Sequence, residues 1–133
     1  MPVGSGELIL IVDDEAAVRD IAKLVLETHG YRVVAARDGA EGLAVYAQYV
    51  DEIRLVISDL DMPVMNGAVM IDSLEKINPN VRVISASGLA SGGRPLQNEG
   101  SSPFRRMLPK PYTASDLLRT VDEVLKATRG DIL

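Results

Sequence analysis

Short apolar segments rich in Val and Ile alternate along the chain with longer segments in which apolar residues recur every three or four positions. The short segments predict strands at residues 8–12, 32–36, 55–58, 81–86 and about 104–108. The first four are almost continuously apolar, as expected of strands covered on both faces. The fifth contains Arg105 and Arg106, which favours a position at the edge of the sheet.

The longer segments predict four amphipathic helices, each with one apolar face. These faces comprise Val18, Ile21, Ala22 and Val25, then Leu43, Ala47 and Val50, then Met70, Leu74 and Ile77, and finally Leu117, Val121, Val124 and Leu125. The last helix follows the sequence TASD, in which Thr113 can cap the first turn and Asp116 can bond back to it. Strands alternating with helices are typical of a parallel sheet with helices on both faces.

Residues 88–103 interrupt this alternation where a further helix would fall. The segment GLASGGRPLQNEGSSP contains four Gly and two Pro and has no apolar stripe. Because Gly and Pro are poor helix formers, we predict a short or irregular fourth helix here.

Composition narrows the class of protein. The 133 residues, 47% of them hydrophobic, suit one globular domain, and the net charge of −5 argues against non-specific attraction to nucleic acid. The absence of cysteine excludes disulfides and thiolate metal sites. The amino-terminal MPVGSGE lacks the features of a secretory signal, and the apolar runs fall short of the roughly 20 residues that span a bilayer. We therefore expect a cytoplasmic protein without membrane or direct nucleic acid binding.

Polar side chains follow four of the predicted strands. Asp13 and Asp14 follow the first, Asp59 ends the third, Ser87 follows the fourth and Lys110 follows the fifth. Each alone is an ordinary turn or cap residue, but the carboxyl ends of parallel strands meet at one edge of a sheet. Turn chemistry does not explain the whole set of acids, hydroxyl and ammonium, so we expect a site at this edge.

The residue types in this set indicate phosphoryl chemistry. Three crowded carboxylates repel one another unless a cation lies between them, and hard oxygen ligands favour Mg²⁺. Because Mg²⁺ also binds phosphate oxygens, the natural guest is a phosphoryl group, with Asp59 as the nucleophile that forms an aspartyl phosphate. Lys110 and Ser87 would then stabilise the charge on the transferred group.

The chain resembles the receiver domains of two-component response regulators. The resemblance rests on LILIVDDE, LVISDLDMPVMNG, VRVISASG and LPKPYTASDLL in this order, and ISASGLA resembles receivers attached to hybrid sensor histidine kinases. It implies an α/β, flavodoxin-like (βα)5 three-layer sandwich with a five-stranded parallel sheet in the order 2-1-3-4-5. The receiver would span residues 7–128, between a flexible amino-terminal segment, 1–6, and a tail, 129–133.

The resemblance also implies the chemistry of the site. Asp59 would accept a phosphoryl group from a sensor histidine kinase or a histidine phosphotransfer domain. Mg²⁺, with Mn²⁺ as an alternative, would be held by Asp14, Asp59 and the backbone carbonyl of Asp61, with support from Asp13. The domain would be a signalling phosphoacceptor that assists its own phosphorylation and dephosphorylation, rather than an enzyme.

Further roles follow from the same resemblance. Ser87 would hydrogen-bond the phosphoryl group, Lys110 would pair with it, and Gly88 would leave room beside it. We predict a cis peptide between Lys110 and Pro111, because the turn must aim Lys110 at the pocket.

The chain departs from the family at the switch position. Receivers commonly carry an aromatic residue three positions before the lysine, and here Met107 occupies that place. Met is flexible and apolar, so we expect no aromatic toggle. The partner surface would then shift toward other faces, such as the first helix, and a phosphorylation-dependent homodimer is an additional candidate.

Two alternative functions remain open at this point. The sequence DLD at residues 59–61 resembles the nucleophile motif of haloacid dehalogenase-type phosphatases. In those enzymes the motif lies on the first strand and an acidic pair follows the lysine, whereas here it lies on the third strand and no Asp pair follows Lys110. The other alternative is a receiver-like binding module that is not phosphorylated.

Overall fold

The computed structural model describes residues 3–60, 67–88 and 104–127, and this part of the chain forms five strands and four helices. The strands are β1 Leu8–Val12, β2 Arg32–Ala36, β3 Ile53–Asp59, β4 Val83–Ser87 and β5 Arg105–Pro109. The helices are α1 Ala16–Thr28, α2 Gly39–Gln48, α3 Gly67–Ile77 and α4 Ala114–Lys126. The short or irregular helix was predicted within residues 88–103, and residues 89–103 lie outside the described ranges.

The five strands form one parallel sheet in the order β2-β1-β3-β4-β5, which confirms the predicted topology. β5 lies at the edge of the sheet, as its two arginines indicated. β1 and β3 are central, so the strand ends that carry Asp13 and Asp59 are neighbours in the middle of the sheet.

Helices cover both faces of the sheet and create two separate cores. On one face the core joins β1 and β3 to α2 and α3, with Leu10, Val12, Val56, Met70 and Leu74 among its buried residues. On the other face the core joins the same strands to α1 and α4, with Ile9, Ile11, Ile57, Leu118 and Val121 among its members. This alternation along β1 and β3 produces the three-layer, flavodoxin-like arrangement.

The inward faces of three helices differ from the prediction, and in α3 the difference is the terminal Ile77, which is 44% exposed. Ile21, predicted to face inward together with Ala22, is 63% exposed, because the buried residues of α1 are Ala22 and Leu26. In α2 the exposed Ala47 is likewise replaced by Tyr46. A neighbouring residue lies about 100° around a helix, so a one-residue error in the centre of the face moves a side chain to its rim.

Close packing brings α2 onto the end of β1. A Cβ on Gly42 would lie 2.9 Å from Cγ2 of Val12 and 3.0 Å from Sδ of Met70. The missing side chain therefore allows α2 to approach both β1 and α3. This contact holds the last residue of β1, immediately before Asp13.

The amino-terminal segment runs beside the turn between α1 and β2. The backbone N–H of Gly4 donates to the carbonyl of His29 over 2.6 Å, and that of Gly6 donates to the carbonyl of Gly30 over 2.8 Å. The flexibility of residues 1–6 stays a prediction. None of the helices within residues 3–60, 67–88 and 104–127 is long and apolar enough to cross a membrane.

Candidate functional site

The carboxyl ends of β1, β3, β4 and β5 meet at one edge of the sheet, where the predicted site residues lie. Asp13 follows β1, Asp59 ends β3, Ser87 ends β4, and Lys110 follows β5. The parallel register aligns these ends, because Asp59 pairs with Ala86 on β4 and Ser87 pairs with Pro109 on β5. The strand order therefore brings together residues that are far apart in the sequence.

Three carboxylates form an acidic cluster at this edge. Oxygen atoms of Asp13, Asp14 and Asp59 lie within 4.8 Å of one another. Asp13 and Asp59 are only 5% and 4% exposed, whereas Asp14 is exposed. Hard oxygen donors with two buried carboxylates are suited to a divalent cation, so the cluster can hold a metal ion.

Lys110 supplies the positive charge of the site. Its Nζ donates to Oδ1 of Asp59 over 3.0 Å, and the Asp59 side chain is 3% exposed in this ion pair. The predicted cis peptide between Lys110 and Pro111 is present. Electrostatic attraction at this distance offsets part of the cost of burying the Asp59 carboxylate.

The pKa of Asp13 reflects the crowding of charge in the cluster. Burial raises the pKa of Asp13 above its usual value, and the negative charge of Asp59 raises it further. The backbone N–H of Glu15, which donates to Oδ1 of Asp13 over 2.9 Å, opposes this shift. Because the opposing interaction is weaker than the desolvation, the ionised form of Asp13 is destabilised in the fold.

Two of the remaining predicted residues, Ser87 and Met107, lie on β4 and β5. Ser87 is buried, and its hydroxyl donates to the carbonyl of Gly88 over 3.3 Å. The backbone N–H of Lys110 donates to the carbonyl of Ser87 over 2.8 Å, which joins β4 to the lysine turn. Met107 is half-buried on β5 and pairs with Ser85. Asp61 lies outside the described residues.

Two further residues near the site were not predicted from the sequence. Arg19 on α1 donates from Nη1 to the backbone carbonyl of Asp13 over 2.7 Å. Tyr112 follows the lysine turn, and its pKa is raised by burial and then by the negative charge of Asp13. The sequence carries no signal for the contact of Arg19, because its acceptor is a backbone carbonyl.

Comparison with known proteins places this site in a family. The sequence model of the response regulator receiver domain matches residues 9–122. The sensor kinase CckA of Brucella abortus (strain 2308) is 34% identical over 118 residues, which are 89% of this chain and 12% of that kinase. The chemotaxis protein CheY of Thermotoga maritima is 31% identical over 124 residues, which are 91% of this chain and 99% of that protein.

Solved structures agree with the sequence relatives. A receiver domain protein from Clostridium thermocellum has a TM-score of 0.79 at 30% identity, covering 89% of this chain and 93% of that one. The receiver domain of the hybrid histidine kinase CckA has a TM-score of 0.74 at 29% identity, covering 90% of this chain and 99% of that one. The chain thus spans a small part of the kinase CckA and nearly all of CheY. It belongs to the response regulator receiver domain family.

Proposed function

We propose that this domain takes a phosphoryl group from a histidine kinase or a histidine phosphotransfer domain onto Asp59, in a Mg²⁺-dependent reaction that switches its conformation. The observation that carries the proposal is the ion pair of Lys110 with Asp59, at 3.0 Å, inside a cluster with Asp13 and Asp14. The family assignment favours this function over a haloacid dehalogenase-type phosphatase. It also favours phosphoacceptance over a binding module that is never phosphorylated.

In the transfer step, an oxygen of the Asp59 carboxylate forms a bond to phosphorus. The nitrogen–phosphorus bond of the donor phosphohistidine breaks, and the released imidazole nitrogen keeps the electron pair and takes a proton from solvent. Lys110 holds the Asp59 carboxylate in place before the reaction, since its Nζ donates to Oδ1 of Asp59 over 3.0 Å. The same ammonium lies where it can pair with an oxygen of the arriving phosphoryl group.

Mg²⁺ fits the donor set of the cluster. Asp14 and Asp59, with the backbone carbonyl of Asp61, would hold the ion, and its charge would neutralise the phosphoryl oxygens. Asp13 supports the arrangement from its buried position beside Asp14. Mn²⁺ has the same preference for oxygen ligands and is the expected substitute.

The buried hydroxyl of Ser87 would complete the set of donors around the phosphoryl group. Ser87 ends the strand next to β3, and its backbone carbonyl is already bonded to Lys110. A movement of Ser87 toward the phosphoryl group would therefore be transmitted to β5. Because Met107 has several low-energy rotamers, the switch would act through this backbone connection rather than through an aromatic side chain.

The first helix offers a surface for the phosphodonor protein. Ile21 and Leu24 are 63% and 67% exposed, which is unusual for large apolar side chains that lie so close together. Ile21 also lines an apolar groove between α1 and α4, together with Val18, Ala22, Val25, Tyr112, Ala114 and Leu117. A helix of a cytoplasmic histidine kinase or phosphotransfer domain would pack its apolar face on this surface.

Phosphorylation by acetyl phosphate, followed by intact-mass spectrometry, tests the proposed acceptor. We expect the mass of one phosphoryl group to be added in the presence of Mg²⁺ and not in the presence of EDTA. The Asp59→Asn variant should gain no such mass, whereas Asp72→Asn, which changes an exposed carboxylate on α3, should react like the wild type.

This experiment, together with an assay for phosphatase activity, separates the alternatives. An unchanged yield of adduct in Asp59→Asn would overturn the assignment of the acceptor. Repeated turnover of a generic phosphate ester would favour the phosphatase. Absence of any adduct at saturating Mg²⁺ and acetyl phosphate would favour a binding module.

A further inference from the structure

The start of α1 lacks the side-chain cap that stabilises the starts of α2 and α4. At the start of α2 the side chain of Asp38 accepts from the backbone N–H of Glu41, and at the start of α4 Thr113 and Asp116 form a capping box. By contrast, Glu15 at the start of α1 makes no capping hydrogen bond with its side chain. The short connection that carries Asp14 therefore needs another support.

Arg19 provides a hydrogen bond to this connection. The arginine is half-buried on α1, and its Nη1 donates to the backbone carbonyl of Asp13 over 2.7 Å. The backbone N–H of Arg19 donates to the carbonyl of Glu15 over 3.1 Å, which fixes the arginine to the first turn of the helix. The guanidinium thus reaches from α1 to the residue that follows β1.

The acceptor of this hydrogen bond matters because of the peptide unit to which it belongs. The carbonyl of Asp13 is part of the planar peptide that joins Asp13 to Asp14. Other contacts of Asp13 lie elsewhere, because its backbone N–H donates to the carbonyl of Ala36 and its side chain accepts from Glu15. The hydrogen bond from Arg19 therefore fixes the orientation of the peptide that leads to the Cα of Asp14. That Cα carries the exposed Asp14 side chain.

We propose that Arg19 is a positioning residue for the metal site, which orients the peptide between Asp13 and Asp14 so that the Asp14 carboxylate stays within the acidic cluster. The inference rests on the proposed Mg²⁺ site. Asp14 is the exposed member of the cluster, so its side chain has more freedom than those of Asp13 and Asp59. Fixing its backbone reduces the conformational entropy that metal binding must remove.

The charge and the geometry of Arg19 predict opposite effects on metal affinity. A positive charge beside the cluster repels a divalent cation, so an arginine that acted through its charge would weaken Mg²⁺ binding. Removing that charge would then increase the affinity. An arginine that acts by positioning Asp14 strengthens binding, and removing it should decrease the affinity. The direction of the change therefore separates the two roles.

The test is a titration of the unphosphorylated full chain with Mg²⁺ alone, followed by the NMR shifts of backbone amides around the cluster. We expect Arg19→Ala to weaken Mg²⁺ binding about tenfold, as is typical when a partner that orients a ligand is lost. Arg19→Lys keeps the charge but not the fork of donors, and should recover part of the affinity. Lys23→Ala removes an exposed cation from the same helix and should leave the affinity unchanged or slightly higher.

Thermal unfolding without metal is the second measurement. A loss of Mg²⁺ affinity in Arg19→Ala or Arg19→Lys with little change in melting temperature supports a positioning role, because a general structural defect would lower both. Equal or tighter Mg²⁺ binding in a folded Arg19→Ala variant would overturn the inference alone. A wild-type chain that binds no Mg²⁺ would overturn the proposed metal site and the inference with it.

Discussion

Lys110 and Asp59 lie 51 positions apart in the sequence, yet Nζ of the lysine is 3.0 Å from Oδ1 of the aspartate. The two residues come from strands that are not neighbours, since β4 lies between β3 and β5. The lysine side chain therefore crosses the end of β4 to reach a carboxylate that is 3% exposed. This ion pair partly balances the negative charge of the three carboxylates at the edge of the sheet.

Replacing Lys110 should destabilise the metal-free protein. In Lys110→Met the apolar stem is retained but a buried carboxylate loses its cation, so we expect the free energy of unfolding to fall by about 2 kcal/mol. Urea unfolding followed by far-UV circular dichroism measures this, since the chain contains no Trp. In the Asp59→Asn background the same replacement should cost much less. Equal costs in the two backgrounds would contradict a direct interaction.

Asp13 should reduce stability at neutral pH. Because burial raises the pKa of Asp13 above 3.8, its protonated form is favoured in the folded state. Asp13 therefore does not destabilise the fold in acid, where it is protonated. The free energy of unfolding falls as the pH rises through the pKa of Asp13 in the folded state. Asp13→Asn is neutral at every pH and keeps an acceptor for Glu15. We therefore expect it to be more stable than the wild type by about 1 kcal/mol at pH 7 without metal.

The pH dependence of this difference is the decisive measurement. The advantage of Asp13→Asn should shrink as the pH falls toward the usual pKa of aspartate, and it should also shrink when Mg²⁺ is added. Asp20→Asn, which neutralises an exposed carboxylate on α1, should change stability little at either pH. An advantage that is constant from neutral to acid pH would show that burial of the charge is not its cause.

Much of the site could be predicted from the sequence because its residues follow strands. Hydrophobic alternation located the strands, and a parallel sheet necessarily gathers their carboxyl ends, so the sequence alone was enough to group Asp13, Asp59 and Lys110. The hydrogen bond of Arg19 to the backbone of Asp13 could not be predicted, since a backbone carbonyl leaves no signature in the sequence. The prediction also placed Ile21 and Ala47 on the inward faces of α1 and α2, whereas both are exposed and lie next to buried residues.

The two arginines of β5 show where a pattern is ambiguous. Arg105 and Arg106 correctly indicated an edge strand, but they occupy opposite faces and different environments. Arg105 is buried, donates to the carbonyl of Val81 and pairs with Glu75 on α3 over 3.3 Å. Arg106 pairs with Glu123 at the surface. No local sequence signal identifies Glu75, which is 30 positions away, as the partner.

These two ion pairs predict a contrast in stability. Glu75→Ala leaves the buried guanidinium of Arg105 without its counter-ion, and we expect the free energy of unfolding to fall by about 2–3 kcal/mol. Glu123→Ala removes the partner of Arg106 from an exposed pair and should cost less than about 0.5 kcal/mol. Urea unfolding of the two variants provides the comparison. A similar loss of stability in both variants would contradict the expectation that the buried ion pair contributes more than the exposed one.

Two buried serines lie opposite each other on the neighbouring strands β3 and β4. Ser58 and Ser85 are paired in register, and both side chains are fully buried. The hydroxyl of Ser58 donates to the carbonyl of Asp59 over 3.3 Å, whereas that of Ser85 has no hydrogen-bond partner in the part of the chain that the structure describes. A buried hydroxyl without a partner is costly, so removing it should be favourable.

We therefore expect Ser85→Ala to raise the free energy of unfolding by about 1 kcal/mol, and Ser58→Ala to lower it by about 0.5–1 kcal/mol. The two substitutions remove the same atom from neighbouring positions of one sheet, so differences in strand propensity and volume largely cancel. Thermal and urea unfolding of the metal-free variants measure both changes. A loss of stability in Ser85→Ala as large as that in Ser58→Ala would contradict the prediction, and would indicate that an ordered water bonds the Ser85 hydroxyl in solution.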